Sequence, residues 1–521
     1  MKYLVVSAAE WTYPDKYDYA SSSRSIVLHA ARNSHGTTQI LLAGLPGNSG
    51  VSVGVKGRLA AFDFRVYEMV PVFVESNPSM TKENALPNCP SRWAPFYIYD
   101  CLKPLGESVT PMDGTAGLYI SFAVPAGAVP GDYAGSVEIN CGGEKISVAA
   151  AMKIYDACVP AGESLKIIIG YSSGKTAEYH KVPSGSAENK RLDVAYLKML
   201  RHMRQNMLYT GGVRHSVDAN GIYVFDFSAL EDFVASAMKL GFRYFNAPSV
   251  GRRKSWQEST ILVGKGLPSM SYEAYRYLSQ YLPALRAMLA RNGWLEKFYM
   301  GVADEPNGAN ATEFRALCGL VRKYVPDIRL IDAVSYVPIH GALDVWVPLN
   351  AEYAKHRAEF ESFRGGNDEI WHYVCCCPRA EGYINRFLDY PLLSTRYLFW
   401  GNYKYNLGGF LHWAANVYQP GQDPFTSNCP RHTNCDATVT LPPGDTHIIY
   451  PGDNGPWMSM RLEAQRESAE EYELLRMLAH KDKAHADRIC AKCFRSFNDV
   501  EYDPVHFIGV KTELLQAVAQ I

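Results

Sequence analysis

A TIM-like β/α barrel preceded by an N-terminal β-sandwich, an α/β fold class, is the architecture this sequence predicts. Three observations carry it. Up to about Pro160, short β-like segments recur between Gly, Pro and Asn clusters; from Ser164 onward, apolar strands alternate with amphipathic helical stretches; and the strand-like segments of that second region number eight. A chain of 521 residues is too long for one ordinary domain, and 47% hydrophobic residues is enough for two cores. The expected division is a sandwich over 1–160, a barrel over 161–480 and a helical appendage over 481–521.

In the first region the segments YLVVSA, TTQILLAGL, RVYEMVPVFV, GLYISFAV, AGSVEINC and KISVAAAMKIY have the composition of strands. A polar, Pro-rich excursion from Asn77 to Pro111 interrupts them. In the second region strands are expected to start at Lys166, Met207, Tyr244, Lys297, Ile328, Asp344, Ile370 and Gly409. Helices over Val194–Met207, Phe227–Leu240, Tyr272–Arg291, Thr312–Tyr324, Glu352–Phe363 and Ile384–Tyr403 fall between them. No GxGxxG or P-loop pattern recommends a doubly wound sheet instead. After the eighth strand, Ser459 is placed to start a helix over Met460–Ala479, whose Leu462, Ala469, Tyr472, Leu475 and Leu478 read as packing.

In a barrel of this kind the reaction centre lies at the carboxyl ends of the strands. The stretch KFYMGVADEPNG, Lys297 to Gly308, ends an apolar run in two adjacent acids, Asp304 and Glu305, followed by loop-forming Pro306, Asn307 and Gly308. Acids at such a position need structural partners or chemical work. The structural alternative is that Asp304 caps the next helix while Glu305 faces solvent. Asn246, Asp332, Tyr373, Trp413 and Asn416 also fall late in, or just after, predicted strands, so they converge on the same rim. Each has its own packing or ion-pair explanation.

Net charge is −1 at pH 7, and no basic run interleaves with aromatics, so nucleic acid and anionic membrane are poor partners. The 34 Tyr and 9 Trp suit stacking on sugar rings. No apolar run reaches the length of a membrane span. The N-terminus MKYLVVSAAEW reads as a first strand and not as a signal peptide, which gives a cytoplasmic protein as written, or an exported one if a leader was removed. Twelve cysteines are too dilute for a disulfide scaffold. Cys375, Cys376 and Cys377 read as small core residues, and Cys490 with Cys493 lacks a second pair for zinc. Cys429 and Cys435, in a long polar loop, are a candidate disulfide if the protein is exported. No metal or redox cofactor is implied.

The segments VADEP at 302–306, WHYVCCCP at 371–378, RYLFWGNYKYNLGGFLHWAANVY at 396–418 and the tail YPGDNGPWMSMRLEAQRESAEEYELL together resemble glycoside hydrolase family 123. YIYDCLKPL at 97–105 and VPAGAVPGDYAGSVEI at 124–139 extend the resemblance into the first domain. The resemblance implies an exo-acting β-N-acetylgalactosaminidase that retains anomeric configuration through the substrate's own acetamido group, so its partner is a glycan ending in β-GalNAc. On that expectation Glu305 is the general acid and base, and Asp304 accepts the acetamido N–H and raises the pKa of Glu305 by repulsion. Tyr373 becomes the donor to the acetamido oxygen. Trp371, Trp400 and Trp413 are expected to cage the methyl group or stack on the sugar, and Asn416, Asp344 and Asn246 to complete the substrate-binding set. The polar, Cys-bearing insertion Gln419–Asp445 departs from the family and is placed to shape a leaving-group subsite. A β-N-acetylglucosaminidase and a non-catalytic carbohydrate-binding protein are the alternatives on the same fold.

Overall fold

The computed structural model describes residues 1–17, 25–78, 80–81, 91–379, 381–434 and 437–521. Among them, the barrel is built from Lys166–Ile169, Met207–Tyr209, Tyr244–Ala247, Phe298–Met300, Arg329–Val334, Val345–Pro348, an interrupted strand in two pieces, Glu369–Ile370 and His372–Tyr373, and Gly409–His412. All neighbouring strands are parallel and follow chain order around the ring. The ring closes because Glu369–Ile370 pairs with the sixth strand while His372–Tyr373 pairs with the eighth, and the eighth pairs with the first. The eight expected starts each lie within one residue of an observed strand.

Ile168, Met207, Tyr299, Ile331, Ala333, Val345, Val347, Trp371, Tyr373 and Leu411 fill the interior. This is the alternate-residue filling a closed parallel barrel requires. At the amino ends the floor is polar: Lys166 Nζ lies 3.1 Å and Arg329 Nη1 2.6 Å from the Glu369 carboxylate.

The sandwich has two sheets. One runs Lys2–Ser7, Ser34–Ala43, Thr115–Val124, Phe64–Val74, Phe96–Pro104 in spatial order, and the other packs Ser25–Arg32, Glu144–Cys158, Gly131–Cys141 and Ser49–Gly57 against it. Leu118, Ile120 and Phe122 face the second sheet, while Tyr119 faces the barrel side. Three strands differ from expectation. Ser25–Arg32 and Ser49–Gly57 were hidden by small and polar residues, and Phe96–Pro104 lies inside the stretch read as a polar excursion. The last is buried at Phe96 and over residues 98–102 because it packs between neighbours on both edges.

The domain boundary is crossed from the far end of the chain. Gly455–Ser459 pairs antiparallel with Phe96–Pro104, extending the sandwich sheet with residues from beyond the barrel. Ser459 then caps a long helix, Met460–Cys493, its side chain accepting from the Leu462 N–H, with non-helical backbone at Asp482. The first half of this helix, residues 460–475, is buried on all sides, charges included. Arg466 pairs with Glu463 at 2.9 Å and Glu470 at 2.7 Å, Arg396 with Glu471 at 2.5 Å, and Thr37 of the sandwich donates to Glu467 at 2.6 Å. The expected apolar stripe is present, but opposed charges let the remaining faces be buried as well.

Candidate active site

Asp304 and Glu305 stand beyond the carboxyl end of the fourth barrel strand, Phe298–Met300. The cap reading does not hold, since the next helix begins at Ala311 with Asn310 before it. Regular β backbone would send adjacent side chains to opposite faces. Here Glu305 itself adopts φ 49°, a left-handed conformation that costs a residue with a Cβ about 1–2 kcal/mol. Gly308, three residues on, is not left-handed. Arg253 secures it: its Nη2 donates to the backbone oxygens of Asp304 and, at 3.0 Å, of Glu305, while Nη1 donates to Trp256 O at 2.9 Å. Asn307 Nδ2 donates to the same Trp256 oxygen at 2.6 Å.

From this turn the two carboxylates diverge. Glu305 Oε1 accepts from the Tyr373 hydroxyl at 2.6 Å, and Tyr373 belongs to the seventh strand, three places around the barrel. Asp304 is exposed to solvent, yet protein crowds it enough that desolvation, then the charge of Glu305, lifts its carboxyl to about 7. A group both crowded and wetted lies in a concave mouth. The same holds for Tyr209, at the end of the second strand, which is 39% exposed although crowding and the charges of Asp304 and Asp332 push its hydroxyl pKa up.

Asp332 is buried beneath the pair. Its Oδ2 accepts from Val302 N at 2.8 Å and Ala303 N at 3.2 Å, tying the fifth strand to the segment leading into Asp304. Burial pushes its carboxyl up to about 8. Asn246 does related work from the third strand, its Oδ1 accepting from Gly301 N at 3.2 Å. Asn416 is fully buried, bonded to both backbone groups of Ser172 and to Thr176 Oγ1, and so joins the end of the eighth strand to the first helix of the barrel. Trp413, half-buried at the rim, donates from Nε1 to Asp445 Oδ2 at 3.1 Å and lies beside His432 of the Gln419–Asp445 insertion.

Three expected substrate contacts lie elsewhere. Trp371 does share the interior face with Tyr373, but one layer deeper, filling the floor against Tyr299 and over Gly409. Trp400 lies outside the barrel on Leu398–Tyr405, its Nε1 donating to Glu471 at 2.9 Å in the buried charge network. Asp344 precedes the sixth strand at the amino end, where Arg322 pairs with it at 2.8 Å and Leu330 N donates to it. For Trp371 and Asp344 the depth along the barrel axis differs from expectation, and for Trp400 the distance from that axis. Cys435 lies outside the described residues; Cys429 is buried as a free thiol.

Arg253 and Tyr209 were missed from sequence. Arg253 sits in an excursion after the third strand with no local pattern, and Tyr209 ends a strand of three residues. A tyrosine at a barrel strand's carboxyl end was the signal available for the second.

Residues 172–478 match the family model described as glycoside hydrolase 123, catalytic domain. Among solved structures, a family 123 glycoside hydrolase from Clostridium perfringens, described for glycolipid glycan hydrolysis, is similar with a TM-score of 0.75 at 13% identity, covering 99% of this chain and 96% of that one. A β-D-glucuronidase of Dictyoglomus thermophilum gives a TM-score of 0.37 at 10% identity over 85% of this chain and 68% of its own. No curated protein matches. Among the described residues no helix is long and apolar enough to cross a membrane.

Proposed function

The chain belongs to glycoside hydrolase family 123, and from that premise we propose that it releases terminal β-linked N-acetylgalactosamine from glycans or glycoconjugates, with retention, by substrate-assisted catalysis. The observation that carries this reading is the pair of neighbouring carboxylates turned apart at the barrel mouth, Glu305 against Tyr373 and Asp304 toward solvent. Retaining enzymes with their own nucleophile place two carboxyls about 5–5.5 Å apart across the scissile bond. Adjacent residues in one loop suit a different division of labour, in which the 2-acetamido oxygen attacks the anomeric carbon.

In this mechanism Glu305 protonates the glycosidic oxygen and later removes a proton from the attacking water. Asp304 accepts the acetamido N–H and balances positive charge on the oxazolinium intermediate. The Tyr373 hydroxyl passes from Glu305 to the acetamido oxygen, which orients the nucleophile and releases the acid. Tyr209 and Trp413 complete the wall around the sugar. Arg253, Asp332 and Asn246 hold the loop so that both carboxylates need little rearrangement, the condition under which fixed charges accelerate a reaction most.

The test is hydrolysis of paired aryl β-GalNAc and β-GlcNAc substrates with the released anomer followed by NMR, together with a thiazoline mimic of the intermediate. Release of β-GalNAc first as the β-anomer and inhibition by the thiazoline are expected. Preference for β-GlcNAc replaces the proposed specificity with the glucosaminidase reading. Glycan binding without turnover overturns the hydrolase reading, and an initial α-anomer overturns the mechanism.

A further inference from the structure

Cys375, Cys376 and Cys377 follow the seventh barrel strand and are not core residues, as the sequence suggested: all three are partly exposed. Their turn is closed on itself. Cys375 N–H donates to Cys377 O at 2.8 Å, and Cys377 N–H donates back to Cys375 Sγ at 3.4 Å. Asn385 Nδ2 donates to the oxygens of Cys375 and Cys377, each at 3.1 Å, and Arg379 Nε to Cys376 O at 2.7 Å. Cys375 also packs on the interior cluster that contains Tyr373, the partner of Glu305. Most other described cysteines, Cys101, Cys141, Cys318, Cys429, Cys490 and Cys493, are buried.

We propose that Cys375 and Cys377 form a thiol–disulfide exchange site in the wall of the barrel mouth, its co-reactant a small disulfide of the glutathione class, and that oxidation slows hydrolysis by moving Tyr373. The site itself stands on the turn geometry; the effect on hydrolysis rests on the function proposed above. Hydrogen bonds from the Cys375 and Cys376 thiols, aided by the charge of Arg379, hold the Cys377 thiol well below its usual pKa, which makes it the attacking sulfur. Its thiolate attacks one sulfur of the small disulfide, forming a mixed disulfide and expelling one small thiolate. The Cys375 thiol then attacks the Cys377 sulfur and loses its proton, closing the internal disulfide and expelling the second small thiol. Two protein sulfurs are oxidised by two electrons in total, and one small disulfide is reduced to two thiols. Because Cys375 is two residues from Tyr373, drawing its sulfur toward Cys377 displaces the strand end that carries the tyrosine.

The intact protein is treated with oxidised glutathione, mapped by peptide mass spectrometry, and assayed on an aryl β-GalNAc before and after dithiothreitol. The expected result is a Cys375–Cys377 cross-link, seen as loss of two hydrogens, with a fall in rate of about ten-fold that reduction reverses. Cys377→Ser, and separately Cys375→Ser, should keep the untreated rate and lose both effects. No cross-link, or one joining either residue to Cys376 instead, overturns the site; a cross-link with full activity overturns its control of Tyr373. If the untreated protein hydrolyses nothing, the function proposed above fails, and the peptide map still decides whether the exchange site exists.

Discussion

The Tyr373 hydroxyl donates to Glu305 Oε1 at 2.6 Å, joining the seventh barrel strand to the loop after the fourth across the open mouth. This bond and the left-handed backbone of Glu305 support one another: the turn aims the carboxylate inward, and the tyrosine receives it. Tyr373→Phe removes the donor while keeping the ring. We expect kcat/KM on an aryl β-GalNAc to fall about 100-fold, the usual consequence of losing one donor aimed at developing charge. An unchanged kcat/KM would remove Tyr373 from the mechanism.

Asp304→Asn and Glu305→Gln should each lower kcat by orders of magnitude, but with different leaving-group dependence. An acid that protonates the departing oxygen matters less when that oxygen leaves as a stable anion. Glu305→Gln is therefore expected to recover activity on a dinitrophenyl glycoside relative to a poor leaving group, and Asp304→Asn is not. Identical profiles for the two variants would refute the division of roles.

Arg253 opposes the upward shift of Asp304 with its positive charge. The proposed task of Asp304 requires the ionised form, so kcat/KM should rise as pH passes through about 7. Removing the guanidinium in Arg253→Ala raises the pKa further and should move this acidic limb upward by about half a unit or more. A limb that stays in place, or moves down, contradicts the assignment.

Burial pushes the Asp332 carboxyl up to about 8 in the folded protein, above its ordinary value of 3.8. The folded state then binds more protons than the unfolded state between these values, so the contribution of Asp332 to stability is present at low pH and is lost as pH rises through about 8. Asp332→Asn keeps an oxygen for the Val302 and Ala303 N–H groups and abolishes the titration. Between pH 5 and 8 the Tm of the native protein should fall relative to the variant by roughly 3 °C or more. Parallel Tm profiles would rule this out.

Trp413 and Trp400 provide an internal contrast. Trp413→Phe takes the indole donor from the buried Asp445 carboxylate and is expected to raise KM several-fold while lowering Tm as well. Trp400→Phe leaves a smaller ring in the charge network and takes one of two donors from Glu471 Oε2, which keeps its bond from Arg396, so it should lower stability by about 2 kcal/mol with KM unchanged. Urea melts paired with steady-state kinetics separate the two; a KM effect at Trp400 would bring it back into the site.

What the sequence determined by itself was what local patterning encodes: eight strand starts, the acids at the end of the fourth strand and the cap at Ser459. Alternation and capping act over a few residues, so they are written in adjacent positions. Depth along the barrel axis is not local. It separated Tyr373 at the mouth from Trp371 at the floor and put Asp344 at the closed end, while distance from that axis, no more local, placed Trp400 among the glutamates of a helix some seventy positions later. Tertiary structure alone brought Arg253 and Tyr373 onto the loop of Asp304 and Glu305, 52 and 68 positions from Glu305, and only those long-range bonds hold a glutamate in a conformation its own Cβ disfavours.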